Sequence, residues 1–428
     1  PSKVAEHTIF RSIFYRKNGH IRPLFQNWIA PEINVTDNTE RPRSVKHWIN
    51  TRWVAHRALV TFPETSPMRR INVVTDSISS SSLFGGVGTS LILAALWAQE
   101  VGADLRIITR TEKPDHTALG IVLAANGIEF SRPVNFWFCP HIGGRELPVG
   151  PNDIFLTTSW WTTRCLLNTV AADRIVYLLQ EDERMFYPKG DDYLKCISTL
   201  AEPVRNVIIN TNLLYLHLTE GPDAIPGLSQ RALAFQPSFT SSPRAVKQPS
   251  GKRKLFFYAR PDNPRNLFAT GIDLIDKAAK DNILDPNEWE VIFIGHRIPK
   301  LKFQKNLQIQ YHKPKPWNDY AEFVRQMDAG ISLMCTPHPS YPPLDLAAVG
   351  VPVMTNTFGL KTDLSCYSDN IICVPPTEED MLEGIRHLIE LASDLPRCKA
   401  QMKNDHIQRN WKETFRPILA ELETAWTK

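Results

Sequence analysis

The 428-residue chain contains no run of about twenty apolar residues, the length a helix needs to cross a bilayer, and so predicts no membrane span. The N-terminus, PSKVAEHTIFRSIF, lacks the apolar stretch and cleavage site of an export signal, and the expectation is a cytoplasmic location. Cysteine is sparse and scattered: seven residues, at 139, 165, 196, 335, 366, 373 and 398, with no C-x-x-C pair. An odd, dispersed set argues for reduced thiols rather than a disulfide framework. The pairs Cys139/His141 and Cys335/His338 have no second pair at ligand spacing, so no metal site is expected. An excess of charge of one sign is also missing, with 49 Lys and Arg against 45 Asp and Glu. The resulting net charge of +4 argues against nucleic acid and leaves room for a small anionic substrate or an anionic membrane surface.

What the chain does have is ordinary globular composition, 43% hydrophobic and 22% charged, at a length that exceeds a single core. Residues 1–68 are rich in basic and aromatic residues and read as a helical extension packed on the first domain. Within it, the interleaved Arg/Lys and aromatics of RSIFYRKNGHIRPLF also suit peripheral contact with the inner membrane face. From residue 71 short apolar runs alternate with helical patterns: INVVTDS, LRIITR, VNFWFC, DIFLTTS, RIVYLLQ and VRNVIINT. Continuous apolar runs of this length suit parallel strands covered on both faces. FTSSPRAVKQPSGKRK, polar and without periodicity, reads as a linker, after which the alternation restarts with LFFYA, VIFIG, LQIQYH, AGISLMC, VPVMTN and IICVPP. The predicted division is an extension (1–68), a first doubly wound α/β domain (69–240), a linker (241–254), a second such domain (255–395) and a helical tail packing back on the first domain (396–428). Two such halves imply a cleft between them, a usual place for a ligand.

The sharpest local feature is YARPDNPRN, 258–266, between a buried strand and a helix predicted from Asn266. It lies at the carboxyl edge of the second sheet. Arg265 is expected at the helix N-terminus and Arg260 at the strand end. Two guanidiniums beside free backbone N–H groups suit a diphosphate. Pairing of both arginines with surface carboxylates is the structural alternative. The second feature is CTPHPSYPPLDLAAVGVPVMTN, 335–356, read as a loop, a short helix and a strand. Ser340 to Leu344 would present free N–H groups, and Asp345, expected in the first turn, would accept from a ribose diol or only complement the helix dipole.

The order of these parts resembles retaining glycosyltransferases of the GT-B fold, in their large family 4. Arg260 falls at that family's motif Arg, Arg265 at its Lys, and Asp345-Leu-Ala-Ala-Val-Gly-Val-Pro-Val353 on its second segment. Ala259 replaces a Gly, Asp345 replaces the second Glu, and Pro337 stands where the first Glu, a common donor-sugar contact, should be. FYARPDNPRNLFATGIDLI, SWWTT and VYLLQEDERMFYP narrow the resemblance to the WsaF-like rhamnosyltransferases of bacterial surface glycan synthesis. That resemblance implies a dTDP-β-L-rhamnose donor, a glycan or lipid-linked oligosaccharide acceptor, retention, and other polysaccharide-synthesis enzymes as partners. It implies a catalytic set of Glu183, Arg260 and Arg265. Donor-nucleotide contacts would come from Arg260, Arg265, His312, Lys313, Ser340, Tyr341 and Asp345. Gly85, Gly86, Gln180, Trp160 and Trp161 would line the donor and acceptor cleft, the two tryptophans as a sugar platform or as core. No cofactor or metal is expected, since no D-x-D motif ends a strand. The rival readings are a GT-B transferase for a UDP- or GDP-sugar, a non-catalytic sugar-nucleotide or glycan-binding module of a larger synthase, and a GT-B-shaped epimerase.

Overall fold

The computed structural model describes residues 14–17, 20–23, 44–79, 83, 85–243, 251–315, 317–401 and 405–424. The first domain holds seven strands: β1 (Arg70–Thr75), β2 (Asp104–Thr109), β3 (Val134–Phe138), β4 (Asp153–Thr157), β5 (Ile175–Leu179), β6 (Asn206–Asn210) and β7 (Ala232–Phe235). They form one all-parallel sheet in the order β7-β6-β5-β4-β1-β2-β3. Every residue of β4 and β5, and every residue of β1 after Arg70, is buried. The cause is the covering of both faces by helices.

Helix α1 (Gly86–Val101) follows β1 and is buried from Gly88 to Ala98, because it is sandwiched between the sheet and the tail. Gly102 in the left-handed region (φ 65°) ends it. Helix α2 (Trp160–Leu167) follows β4, its N-terminus closed by a Ser159/Thr162 capping box.

The second domain has six parallel strands: β8 (Arg253–Tyr258), β9 (Trp289–Ile294), β10 (Ile309–His312), β11 (Ala329–Ile331), β12 (Val353–Asn356) and β13 (Ile371–Val374). Their order is β10-β9-β8-β11-β12-β13. Helices α3 (Phe268–Lys280), α4 (Tyr341–Ala348) and α5 (Glu378–Ser393) cover this sheet. The start of α5 is capped by Thr377, whose side chain accepts from Asp380 N at 3.2 Å.

The tail returns to the first domain. Helix α6 (Trp411–Glu423) buries Trp411, Phe415, Ile418, Leu419 and Leu422 in the first domain's core, with Phe415 4.8 Å from the Phe235 ring. Arg409 clips the crossing, donating to the carbonyls of Ser241 and Ala348 at 2.5 and 2.8 Å.

The sequence expectation needs correction at the other end. Among the described residues the extension is not purely helical: Phe14–Lys17 and His20–Pro23 pair as an antiparallel hairpin, Val45–Arg52 is a helix with no buried residue, and Thr61–Pro63 pairs with Leu147–Val149. Its apolar positions Val45, Trp48 and Ile49 share one face yet stay exposed, so this helix is not packed into the first domain's core. The rest of the proposed membrane-contact segment lies outside the described residues.

Candidate active site

Each sheet runs outward in both directions from its first strand, β1 or β8, which opens a crevice beyond the carboxyl ends at that point. In the second domain the crevice lies between β8 and β11. The loops after these strands are tied together by Cys335 N, which donates to the Arg265 carbonyl at 2.7 Å. Arg260 and Arg265, both in the loop after β8, therefore stand at the switch point beside the loop after β11.

Arg265 is not at the N-terminus of α3, as was expected of a helix starting at Asn266. It lies in a separate one-turn 3-10 segment, Pro264–Asn266, because Leu267 at φ 49° breaks the backbone before α3 begins at Phe268. The guanidinium of Arg265 sits over the Phe186 ring at 4.7 Å, and its Nη1 lies 3.0 Å from Glu181 Oε2 of the first domain. Nη1 is buried and lacks an aligned hydrogen bond among the described residues, so the pair is electrostatic rather than directional. Glu181 also accepts a hydrogen bond from Thr336 Oγ1. Thus a carboxylate reaches across the cleft and rests on the arginine, a pairing close to the alternative raised from sequence, except that this carboxylate is only 15% exposed.

The α4 end of the crevice is less rich in donors than the helix-start argument assumed. Pro342 and Pro343 have no N–H, and Ser340 (φ 70°) makes no side-chain cap. Ser340 N donates instead to His338 Nδ1 at 2.8 Å. Burial pushes the His338 imidazole down to about 3, with Lys361 and Arg265 adding to the effect, and its Nε2 has no partner among the described residues. Lys361 is fully buried, its ammonium donating to the Met334 carbonyl at 3.0 Å. Burial lowers its pKa to about 8.

Tyr341 joins the domains. Its hydroxyl lies 2.7 Å from Thr89 Oγ1 and accepts from Asn210 Nδ2 at 2.9 Å. Gln180 Nε2 donates to the Gly86 carbonyl at 2.7 Å, and a Cβ on Gly86 would come within 2.9 Å of that amide nitrogen. Gly85, Gly86, Gln180, Tyr341 and Ser340 are thereby gathered opposite the Arg265 loop, although the Tyr341 hydroxyl is engaged by protein.

Other sequence-derived positions fall elsewhere. Asp345 is the fifth residue of α4, beyond its first turn, and hydrogen-bonds the Tyr320 hydroxyl, while burial pushes its carboxyl up to about 8. His312 ends β10, two strands from β8, with its ring 5.3 Å from Phe323, and Lys313 beside it is exposed. Glu183 is not in the cleft but inside the first domain. Its Oε2 accepts from Trp160 N at 2.7 Å and from the Tyr177 hydroxyl at 2.6 Å, closing the start of α2. Burial pushes this carboxyl up to about 8.

Trp160 and Trp161 are 1% and 6% exposed, which makes them core rather than an open platform. The reason is the capping box, which turns SWWTT into a helix start packed against the sheet. Sequence reasoning gave Glu181, Thr336 and Lys361 no site role and met His338 only in a metal pair that it set aside. The signals were faint: an acidic run after a strand, and a lone Lys following VPVMTN. Among the described residues no group of three or more His, Cys, Asp or Glu is placed to hold a metal.

Two parallel, doubly wound domains with their ligand edges facing across a cleft define the GT-B fold. The same fold is seen in sucrose-phosphate synthase from Thermosynechococcus elongatus (TM-score 0.59, 10% identity, 84% of this chain and 100% of that one). It is seen again in S. aureus TarM (0.57, 8%, 84% and 100%) and in Anabaena HepE in complex with UDP-glucose (0.53, 12%, 83% and 99%). A curated relative, the O-antigen biosynthesis protein RfbC of Myxococcus xanthus, is 27% identical over 243 residues, which are 55% of this chain but 18% of that protein. Residues 70–212 match the WsaF N-terminal domain and residues 253–386 the WsaF C-terminal domain. The chain carries both domains in order and belongs with the WsaF-like glycosyltransferases of GT-B fold.

Proposed function

We propose that the chain transfers L-rhamnose from dTDP-β-L-rhamnose to a hydroxyl of a growing bacterial surface glycan, with retention of configuration. The observation that carries this reading is the Arg265 site. At the switch point of the second domain, a nearly buried guanidinium already holds an anionic oxygen, that of Glu181, beside Arg260. The donor diphosphate takes the place of the Glu181 carboxylate and brings more charge to the same cation. Lys361 adds a second buried cation while it is protonated.

The C1–O bond to the diphosphate breaks with its electron pair on the leaving oxygen. The acceptor oxygen bonds to C1 from the same face, and its proton passes to the leaving phosphate. Stabilising the departing diphosphate is the protein's main contribution. The name of the Myxococcus relative supports a surface-glycan role, although the chain spans less than a fifth of that protein. Other polysaccharide-synthesis enzymes and peripheral contact with the inner membrane face belong to the same reading. The UDP-glucose complex of HepE favours a second donor, a UDP-sugar on the same clamp.

Arg260→Ala or Arg265→Ala is expected to weaken nucleotide diphosphate binding by about 1.5–3 kcal/mol, the scale of a hydrogen bond to a charged group. Calorimetry with dTDP, UDP and GDP measures this and ranks the bases; unchanged affinity in a folded variant sinks the clamp. The reaction as drawn uses no metal, so turnover is expected to persist in excess EDTA. Loss there, restored by Mg²⁺ or Mn²⁺, would require a different mechanism.

A further inference from the structure

The first domain has a switch point of its own, between β1 and β4, on the same sheet edge as Gly86 and Gln180. Asp76 is the first residue beyond β1, and Ser159, Trp160 and Trp161 lie just beyond β4. The indole Nε1 of Trp161 donates across this crevice to Asp76 Oδ2 at 2.8 Å. The Asp76 backbone is fixed as well: its carbonyl accepts from Arg110 N at 3.1 Å, from Thr111 N at 2.9 Å and from Thr111 Oγ1 at 2.8 Å.

Arg110, the cation whose charge acts on this carboxylate, forms no hydrogen bond or ion pair with it among the described residues. Arg110 gives Nη1 to the Cys139 carbonyl at 2.8 Å and Nη2 to the Arg57 carbonyl at 2.9 Å. Asp76 is half-buried, and among the described residues its Oδ1 accepts no hydrogen bond. A carboxylate with one oxygen oriented by an indole, no bonded cation and a second oxygen open at a ligand edge is arranged to receive an O–H donor. A structural ion pair would be satisfied on both oxygens.

Resting on the glycosyltransferase reading, we propose that Asp76 Oδ1 accepts a hydrogen bond from a hydroxyl of the acceptor, a neutral sugar ring bound at the first domain's switch point. The negative charge of Asp76 works against an acidic ring at this subsite, and the neighbouring Arg110 works against a cationic one. Burial holds the Asp76 carboxyl above its ordinary range, with Trp161 and Arg110 opposing, and a bound hydroxyl would supply the hydrogen bond that its open oxygen lacks.

Asp76→Asn in the full chain separates binding from structure. The amide oxygen still accepts from the Trp161 indole, whereas an NH₂ replaces the open Oδ1. Saturation-transfer NMR with methyl α-L-rhamnopyranoside, in the presence of dTDP, is expected to show at least tenfold weaker sugar binding than in the wild type. The melting temperature and the calorimetric dTDP affinity are expected to be unchanged. Equal sugar affinity in Asp76→Asn, or no sugar binding by the wild type, overturns the proposal. If the wild type binds no dTDP, the donor reading fails instead, and the sugar titration run without nucleotide still decides for or against Asp76.

Discussion

Glu181 and Glu183 are two residues apart and do opposite work. Glu183 turns inward, where a single oxygen receives both the Trp160 N–H and the Tyr177 hydroxyl. Glu181 turns outward and crosses the cleft to Arg265. Nothing in the acidic run QEDE distinguishes them, because their fates depend on Tyr177 and on a loop more than eighty residues downstream.

Their environments give a pH prediction. Burial raises Glu183 from 4.5 to about 8, so between these values the folded state binds a proton that the unfolded state has released. Stability from this group is full below the unfolded value and is lost as pH rises through the folded one. Glu183→Gln places an amide oxygen where Oε2 sits and removes the titration. The variant's melting temperature is expected to rise relative to wild type between about pH 5 and about pH 9. Parallel pH curves for the two proteins would rule this out. Since Glu183 caps α2 rather than facing the cleft, the same variant is expected to keep its turnover.

At the scale of elements, the ligand edge of the second domain depends on close approach of β8 and β9. Gly295, directly after β9, lies so close to the residue that follows β8 that a Cβ there would lie 1.7 Å from the Ala259 carbonyl oxygen. That carbonyl belongs to the residue before Arg260. Gly295→Ala therefore has to push the strand ends apart, at a cost of roughly 1–3 kcal/mol for forced overpacking. It is expected to lower the urea midpoint and, by shifting Arg260, to weaken dTDP binding. A variant with native stability and native affinity would show that the strand ends yield freely.

Strands were the legible elements, since each apolar run read as a strand between 71 and 374 overlaps a strand of the two sheets. Helix starts were less so. The loop YARPDNPRN reads as leading straight into a helix, yet Leu267 takes a left-handed backbone that no local preference favours, and Arg265 is set on its own turn. Likewise Asp345 is placed by Tyr320, a residue on another helix, rather than by the helix start it was read against.

At the scale of the molecule, the two domains are held by Tyr341, by the Glu181–Arg265 pair and by the returning tail. Phe415 is fully buried against the first domain's core although its helix follows the second domain in the chain. Phe415→Ala is expected to destabilise the first domain by about 3–5 kcal/mol, the range for removing a buried aromatic ring. Differential scanning calorimetry reads this as a lowered first-domain transition. An unchanged thermogram would mean that the tail is not part of that core.

The sequence by itself determined two parallel α/β domains and the arginines at the second domain's ligand edge. These follow from local quantities: the period of apolar residues, turn-forming residues, and position relative to a strand end. The tertiary structure decided the partners. It put Glu181 rather than Glu183 in the cleft, buried Trp160 and most of Trp161, drew Lys361 and His338 in behind Arg265, and left one oxygen of Asp76 open. Pairing across a cleft and burial of a charge depend on groups far apart in the chain, and their energies exist only once the domains have packed.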